Sequence, residues 1–376
     1  TTDRYMLDGR PSATGGGNHI TLGALHPEDS PFLRRPDLLA SVIAYWQNHP
    51  SLSYLFSGLF IGPTSQAPRI DEARDGNLYE AEIALKELRR IGKDPLPWQI
   101  DRILRNVLVD VTGNTHRAEI SIDKLYAPGS FTGRLGLVEL RGFEMPPHAR
   151  MSISQQYLVA ALMLMFWREP YRQRLIPWGS ALKDKWLLPY FLQKDFHAIL
   201  DDLKKAGFPF AEYHFVPFYE FRFPLYGRYK SGKIEIELRM ALEPWNVLGE
   251  ETLSGNVSRA VDSSVERLQI LVKNFDPNRY TIACNGYAVP LWYAAADDAY
   301  VAGVVFKAWS PPFTLHPTIP VHAPLQFAIY DKINQKYVGG CSYHVAHPGG
   351  RSYETFPVNA NEAESRRLSR FHEQAE

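Results

Sequence analysis

Along the first two hundred or so residues the apolar positions recur mainly at helical spacing, and after that they alternate. Pro36–Gln47 places Leu38, Leu39, Val42, Ile43 and Trp46 on one stripe, with Pro36 suited to a first helical turn and Pro50 read as the stop. Ser51–Ile61 is apolar and expected to be buried. Asn77 with Glu80 three residues on has the form of a capping box. Leu78, Ala81, Leu85 and Leu88 continue it as a helix that Gly92 ends. A further helix is predicted from Trp98 to Val109. A long one is predicted to be capped by Ser152 with Gln155 and to run to Trp167, and residues 169–207 supply two more, the second stopped at Gly207.

Three stretches of this half read as strands. Asn18, Ile20 and Leu22 alternate with His19, Thr21 and Gly23. Arg117–Leu125 alternates Ala118, Ile120 and Ile122 against Arg117, Glu119, Ser121 and Asp123. Leu135–His148 (LGLVELRGFEMPPH) puts Glu139 and Arg141 two apart, hence on one face about 6.5–7 Å from each other. A Gly/Pro-rich loop joins the last two, so the simplest arrangement is an antiparallel hairpin. Three carboxylates and an arginine on one sheet face are costly as plain core, so the face meets solvent or a polar cavity. Leu137 and Phe143 on that same face argue for a partly enclosed cleft.

From Phe208 the period changes to two. Tyr219, Phe221, Phe223 and Leu225 alternate, then KSGK turns the chain. Ile234, Ile236 and Leu238 alternate next, followed by Leu268, Ile270 and Val272. Asn285-Gly286 between apolar flanks is a strong hairpin signal. Further strands are expected near Tyr300–Trp309, Leu325–Tyr330 and Tyr337–Val345, with a short closing helix at Asn359–Phe371. The fold class is therefore α+β: an antiparallel sheet with covering helices over residues 1–207, then an all-β sandwich or barrel over 208–376.

Composition adds limits. The chain has 376 residues, 45% hydrophobic and 22% charged, with zero formal net charge. No overall field draws it to nucleic acid or an anionic membrane. The longest apolar run, Tyr157–Trp167, is too short to span a bilayer. No signal peptide is visible, and two cysteines, Cys284 and Cys341, suit a reducing cytoplasmic setting. Neither has the context of a nucleophile. The chain opens on Thr directly into a motif-rich segment, which is read as a piece whose upstream part is missing.

Several side chains carry chemistry. Gly15, Gly16 and Gly17 beside Asn18 and His19 form either a phosphate-admitting turn or a polar hairpin. The segment GPTSQAPRIDEARD reads as a loop holding Arg69, Asp71, Glu72, Arg74 and Asp75, either a solvated salt-bridge cluster or a substrate clamp presenting Arg69. His316, His322, His344 and His347 near Cys341 match no defined metal spacing and read as turn and loop histidines.

TGGGNHITLG, HPEDSPFLRRPDLL, HPSLSYLFSGLFIGPTSQAPRIDEARD, RAEISIDKLY, GRLGLVELRGFEMPPHARMS and GGCSYHVAHPGGRSYETFPVNANEAE resemble a bacterial amidoligase family. That family is the C-terminal part of longer, transglutaminase-like multidomain proteins, and is distantly similar to the glutamine synthetase and glutamate–cysteine ligase superfamily. The resemblance implies a glutamine-synthetase-like core, N-terminally incomplete here because the ligases' earlier acidic metal ligands would lie upstream. It implies an ATP- and Mg-dependent joining of a carboxylate to an amine, on peptide or amino-acid-like substrates. Gly16, Gly17, Asn18 and His19 match the strand that reaches nucleotide and metal. Glu139 with His19 matches the metal ligands, and Arg141 and Arg69 the phosphate or substrate arginines. Glu119 and Asp123 are the candidates for a second metal or a general base. The family's His is replaced by Pro11, which removes one polar group from that site. The alternative is a non-catalytic substrate- or partner-binding module serving a transglutaminase-like cysteine hydrolase of the same chain or operon. A third reading gives the β-domain a peptide or carbohydrate to bind; its aromatics are mostly explained as core.

Overall fold

A computed structural model describes residues 4–12, 14, 16–74, 77–253, 256–345 and 353–374. Gly15, Asp75 and His347, singled out above, lie outside the described residues. The structure mixes helices with antiparallel sheets and divides into two compact units. One comprises Thr14–Trp186 and Leu192–Phe218, the other Thr2–Ala13, Leu187–Phe191 and Tyr219–Glu376.

In the first unit the helix Pro36–Asn48 is apolar nearly all round, with Leu39, Ala40 and Ala44 fully buried. A helix without a polar face belongs in a core, and Tyr79–Arg90 and Ala149–Arg168 pack against it. Pro50 does not simply stop this helix; it occupies the first turn of the next, Pro50–Tyr54. Residues 51–56 are buried as expected, whereas Leu59 and Phe60 are exposed. The expected capping box does not form: Leu78 takes the cap position without a side-chain hydrogen bond, Asn77 Oδ1 accepts the Tyr79 N–H from one residue further out, and the helix ends at Arg90 with Gly92 at φ +79°. The helix predicted at 98–109 is shorter, Pro97–Leu104. The long helix begins earlier than predicted, at Ala149, because the His148 ring accepts the Arg150 N–H as its cap. Ser152 and Gln155 are thereby left inside the helix, free for another partner. Residues 169–207 give a short helix, Ala181–Asp184, and a long one, Pro189–Lys205.

These helices cover a three-stranded antiparallel sheet of Ile20–Leu22, Val138–Leu140 and Ile120–Ser121, with Val138–Leu140 central. Glu139 faces Thr21 on one side and Ser121 on the other. The hairpin pairing thus follows the expected antiparallel sense, but its strands are shorter than the alternation implied. Thr115–Arg117 is a 3-10 turn. Past Leu140 the chain leaves the ladder, so Phe143 turns inward onto Phe56 and Trp46 instead of sharing the face of Glu139.

In the second unit, two five-stranded antiparallel sheets share one apolar core. Ile236, Leu238, Leu268, Ile270 and Val272 come from one sheet, and Phe327, Ile329 and Cys341 from the other. Asn285 and Gly286 both take positive φ at the predicted hairpin. The stretch 219–225 departs from its alternation: Val216–Arg222 is helical and the strand starts at Leu225. The two cysteines are free and buried.

The central strand enters through Gly136, at φ +68°, where an added Cβ would lie 2.7 Å from the Pro27 carbonyl oxygen. Ser30 Oγ also donates to the Gly136 carbonyl at 2.6 Å. Gly92 shares the positive φ but has open space around it. Gly136→Ala is therefore expected to cost clearly more than the roughly 1 kcal/mol of conformational strain that Gly92→Ala should cost, by urea denaturation. Equal losses would show that the contact with Pro27 yields freely.

Candidate functional site

Glu139 sits at the middle of the sheet with its side chain only 7% exposed. Its Oε1 lies 2.9 Å from His19 Nδ1, and its Oε2 lies 3.2 Å from Lys124 Nζ and 3.5 Å from Arg141 Nη1. Burial raises the Glu139 carboxyl, but the Lys124 hydrogen bond, the Arg141 charge and the His19 contact outweigh it, and the net value is lowered. Arg141 reaches on to His116: Nη1 donates to Nε2 at 3.4 Å, and His116 Nδ1 lies 3.3 Å from Asp123 Oδ2. The cluster thus runs His19, Glu139, Lys124, Arg141, His116 and Asp123.

The glycine segment is fixed as an antiparallel continuation of the sheet. Gly17 bridges to Glu144, Met145 N–H donates to the Gly16 carbonyl, and Asn18 N–H to that of Phe143. The His19 ring folds back over Gly17, where a Cβ would come within 2.4 Å of Nε2. A side chain at 17 would therefore displace the ring that meets Glu139. Asn18 turns away, donating to Ser152 Oγ at 3.0 Å and Gln155 Oε1 at 2.8 Å. It ties the glycine segment to the first turns of the long helix.

Arg69 and Glu119 lie elsewhere, which corrects the expected clamp and the shared carboxylate face. The segment holding Arg69 is no open loop: Gly62–Thr64 is a 3-10 turn and Ile70–Ala73 a short helix. The Arg69 guanidinium is buried and pairs with Asp71, both side chains 1% exposed. Its Nε and Nη2 donate to Asp71, Nη1 to Trp46 O and Ser53 Oγ, and Nη2 also to Gln47 O. All five donors of an arginine are used. Two of the acceptors are last-turn carbonyls of Pro36–Asn48, groups a helix leaves without intrahelical partners. Arg69 is therefore an internal brace with no donor left for a phosphate. Glu119 is buried beside it. Its carbonyl accepts the Arg141 N–H at 2.8 Å and its own N–H donates to Pro68, so it joins the Arg69 cluster to the strand end. Burial pushes the Glu119 carboxyl up to about 7 against the Arg69 charge and a Ser53 hydrogen bond, with Glu72 and Asp71 adding to the rise.

Lys124 and His116 were not singled out by the sequence. His116 precedes the alternating run Arg117–Leu125 and Lys124 lies within it, directly after Asp123, and no spacing rule points to either. In the second unit Pro11 pairs with Tyr5 in a short hairpin. His322 Nδ1 accepts the Lys307 N–H, and the His316 carbonyl accepts from Lys307 Nζ. The His344 ring packs edge-on to His372.

The donor set defines what the site can hold. Glu139 is a hard oxygen ligand on a braced strand, the type suited to Mg²⁺. Arg141 Nε is buried without a hydrogen-bond partner, a feature shared by Arg74, Arg366, Arg367 and Arg370 among the described residues; its guanidinium beside Glu139 is the kind of group suited to an anionic oxygen. Among the described residues there is no group of three His, Cys, Asp or Glu arranged to hold a metal. A cation here would take Glu139 and His19, with the rest of its shell from substrate oxygens and water.

Sheet, covering helices and a carboxylate–arginine centre define an α+β protein with a charged site on its three-stranded sheet. The whole chain, residues 1–376, matches the model of the family described as "Putative amidoligase enzyme (DUF2126)", and the chain belongs to that family. No curated protein and no solved structure matches it. Among the described residues no helix is long and apolar enough to cross a membrane.

Two outcomes test the buried cluster. Arg69→Met strands Asp71 as an unpaired buried charge and is expected to cost about 3–5 kcal/mol in chemical denaturation; a near-neutral result would contradict the brace. Glu119 titrates above its ordinary 4.5 when folded, so the folded state holds the proton longer. Stability is greatest below the ordinary value and is lost as pH rises toward about 7. The stability difference between wild type and Glu119→Gln should fall across that window by on the order of 1–3 kcal/mol. A difference independent of pH would place the carboxyl in water.

Proposed function

We propose that the chain forms amide bonds between a carboxylate and an amine, using ATP and Mg²⁺ through an acyl phosphate. The observation that carries this is the pairing, on one strand, of the buried Glu139 carboxylate with an Arg141 whose Nε has no partner. Family membership supports it. In this reaction a substrate carboxylate oxygen attacks the γ-phosphorus and ADP departs. The amine nitrogen then attacks the acyl carbon, phosphate departs, and the nitrogen loses a proton. Bound Mg²⁺ would neutralise phosphate charge, which is most of what phosphoryl transfer asks of a site.

The chain's own residues take the following parts. Glu139 and His19 hold the cation. Gly16 and Gly17 let the backbone come close, and Asn18 fixes that segment to the long helix. Arg141 donates to a phosphoryl or carboxylate oxygen through its vacant Nε. Asp123, linked to Arg141 through His116, accepts the amine's proton. Arg69 and Glu119 act from beneath, keeping the strand end rigid. The substrates are a peptide or amino-acid-like carboxylate and amine, the setting is cytoplasmic, and the partner is a transglutaminase-like domain of the same chain or operon.

One observation favours a second reading, a non-catalytic module binding substrates for that hydrolase: Glu139 is already neutralised by Lys124 and Arg141. The two readings separate on nucleotide turnover. Wild type should release ADP and phosphate only when both a carboxylate and an amine are present. Glu139→Gln should lower that rate at least about a hundredfold, the scale of one lost electrostatic contact to the transition state, with its melting transition retained. Full activity in the variant would sink the ligase site as drawn; ligand binding without turnover in wild type would select the module.

A further inference from the structure

We infer that the outer face of the helix Ala149–Arg168 is a docking seam for an amphipathic helix of a partner protein, one with acidic residues at both ends of its apolar stripe. The inference is independent of the reaction proposed above. The inner face of the helix, with Leu158, Leu162 and Phe166 buried, packs on Pro36–Asn48. The outer face is apolar as well. Ile153, Tyr157, Leu164 and Trp167 are 51%, 66%, 49% and 45% exposed, with the exposed Ala160 between them. A solvated helix face normally carries charge; between Arg150 and Arg168 this one carries none. The five positions step by four, three, four and three residues, the spacing of a helix-to-helix seam, kept over roughly 21 Å. Ala160, small and central, leaves a gap between Tyr157 and Leu164 that a partner's side chain can enter.

Charge at the two ends decides what covers the seam. Arg150 and Arg168 are 18 residues apart, five full turns, so both stand on one edge of the stripe, about 27 Å from each other. Both are exposed. Arg168 donates to the Ala206 carbonyl at 3.1 Å and lies over the Phe208 ring, and among the described residues no carboxylate pairs with either arginine. Glu169 is the C-cap and lies beyond the last helical turn. A second copy laid on this seam by two-fold symmetry sets arginine against arginine, whether the helices run parallel or antiparallel, and like charges repel. A partner helix with Asp or Glu at each end pairs with both instead. One helix face buries less than a standard interface, so the complex is of the weak, transient kind.

The test is fluorescence anisotropy of two labelled synthetic helical peptides titrated with the purified chain. Both carry Leu at the four-three spacing; one has Glu at each end of the stripe and the other Lys. The Glu-ended peptide should bind about tenfold more tightly than the Lys-ended one, the scale of two exposed charge contacts reversed in sign. Leu164→Glu, folded by thermal melting, should bind neither. Arg150→Glu combined with Arg168→Glu should reverse the preference. The inference fails if neither peptide binds wild type, if both bind equally, or if the paired substitution leaves the preference unchanged. Two further results overturn the partner helix. A dimer of the chain alone in sedimentation velocity, lost in Leu164→Glu, makes a second copy the occupant. Adsorption to phosphatidylserine vesicles, lost in the same variant, makes the seam a membrane surface.

Discussion

A carboxylate at the middle of a three-stranded sheet, 7% exposed, must be compensated or it disrupts the fold around it. Much of the first unit's local structure answers that requirement. Pairing with Thr21 and Ser121 on either side fixes Glu139 in register. His19 reaches it because Gly17 leaves room for the ring. Lys124 reaches it because the hairpin loop turns back at its carbonyl. Arg141 reaches it because Glu119 holds its backbone. Each compensating group comes from a different segment, so the site is assembled by the sheet and not by any one motif.

The same requirement accounts for the helices that carry no chemistry of their own. The last-turn carbonyls of Trp46 and Gln47 in the buried helix Pro36–Asn48 accept from Arg69 as well as from the His49 N–H and the Trp178 indole, while Asp71 balances the Arg69 charge. Glu119, in that neighbourhood, hands its carbonyl to Arg141. Core and site are thus joined through one buried polar chain.

What the residues disclosed divides along local and tertiary lines. The helix Pro36–Asn48, the Gly92 stop, the Asn285-Gly286 hairpin and the alternating Ile234–Leu238 and Leu268–Val272 strands were legible, because each depends on spacing and turn chemistry within one segment. The pairing of Glu139 with Ser121 was legible as a hairpin. The early start of the long helix was not, because a His ring serving as N-cap gives a weaker signal than Ser152 with Gln155 one turn later. The run at 219–225 misled because its first residues close the helix Val216–Arg222, which buries Phe218, while Phe223 is buried just past the helix end, before the strand starts at Leu225. Lys124 and His116 were missed because their roles come from a turn and from a neighbouring strand.

Arg69 and Arg141 show where such inference stops and what replaces it. Both stand two residues from an acid, Asp71 and Glu139, and both resembled phosphate-holding arginines. In the fold, one has every donor consumed by carbonyls, a hydroxyl and a carboxylate. The other keeps a buried Nε without an acceptor. An unsatisfied buried donor carries a standing cost that an incoming anion removes, whereas a satisfied one gains nothing by changing partner. The difference between brace and binding group is therefore hydrogen-bond accounting across five segments of chain, which no spacing of two residues encodes. On the proposed reading, Arg141 and not Arg69 is the arginine that would gain by meeting a substrate oxygen.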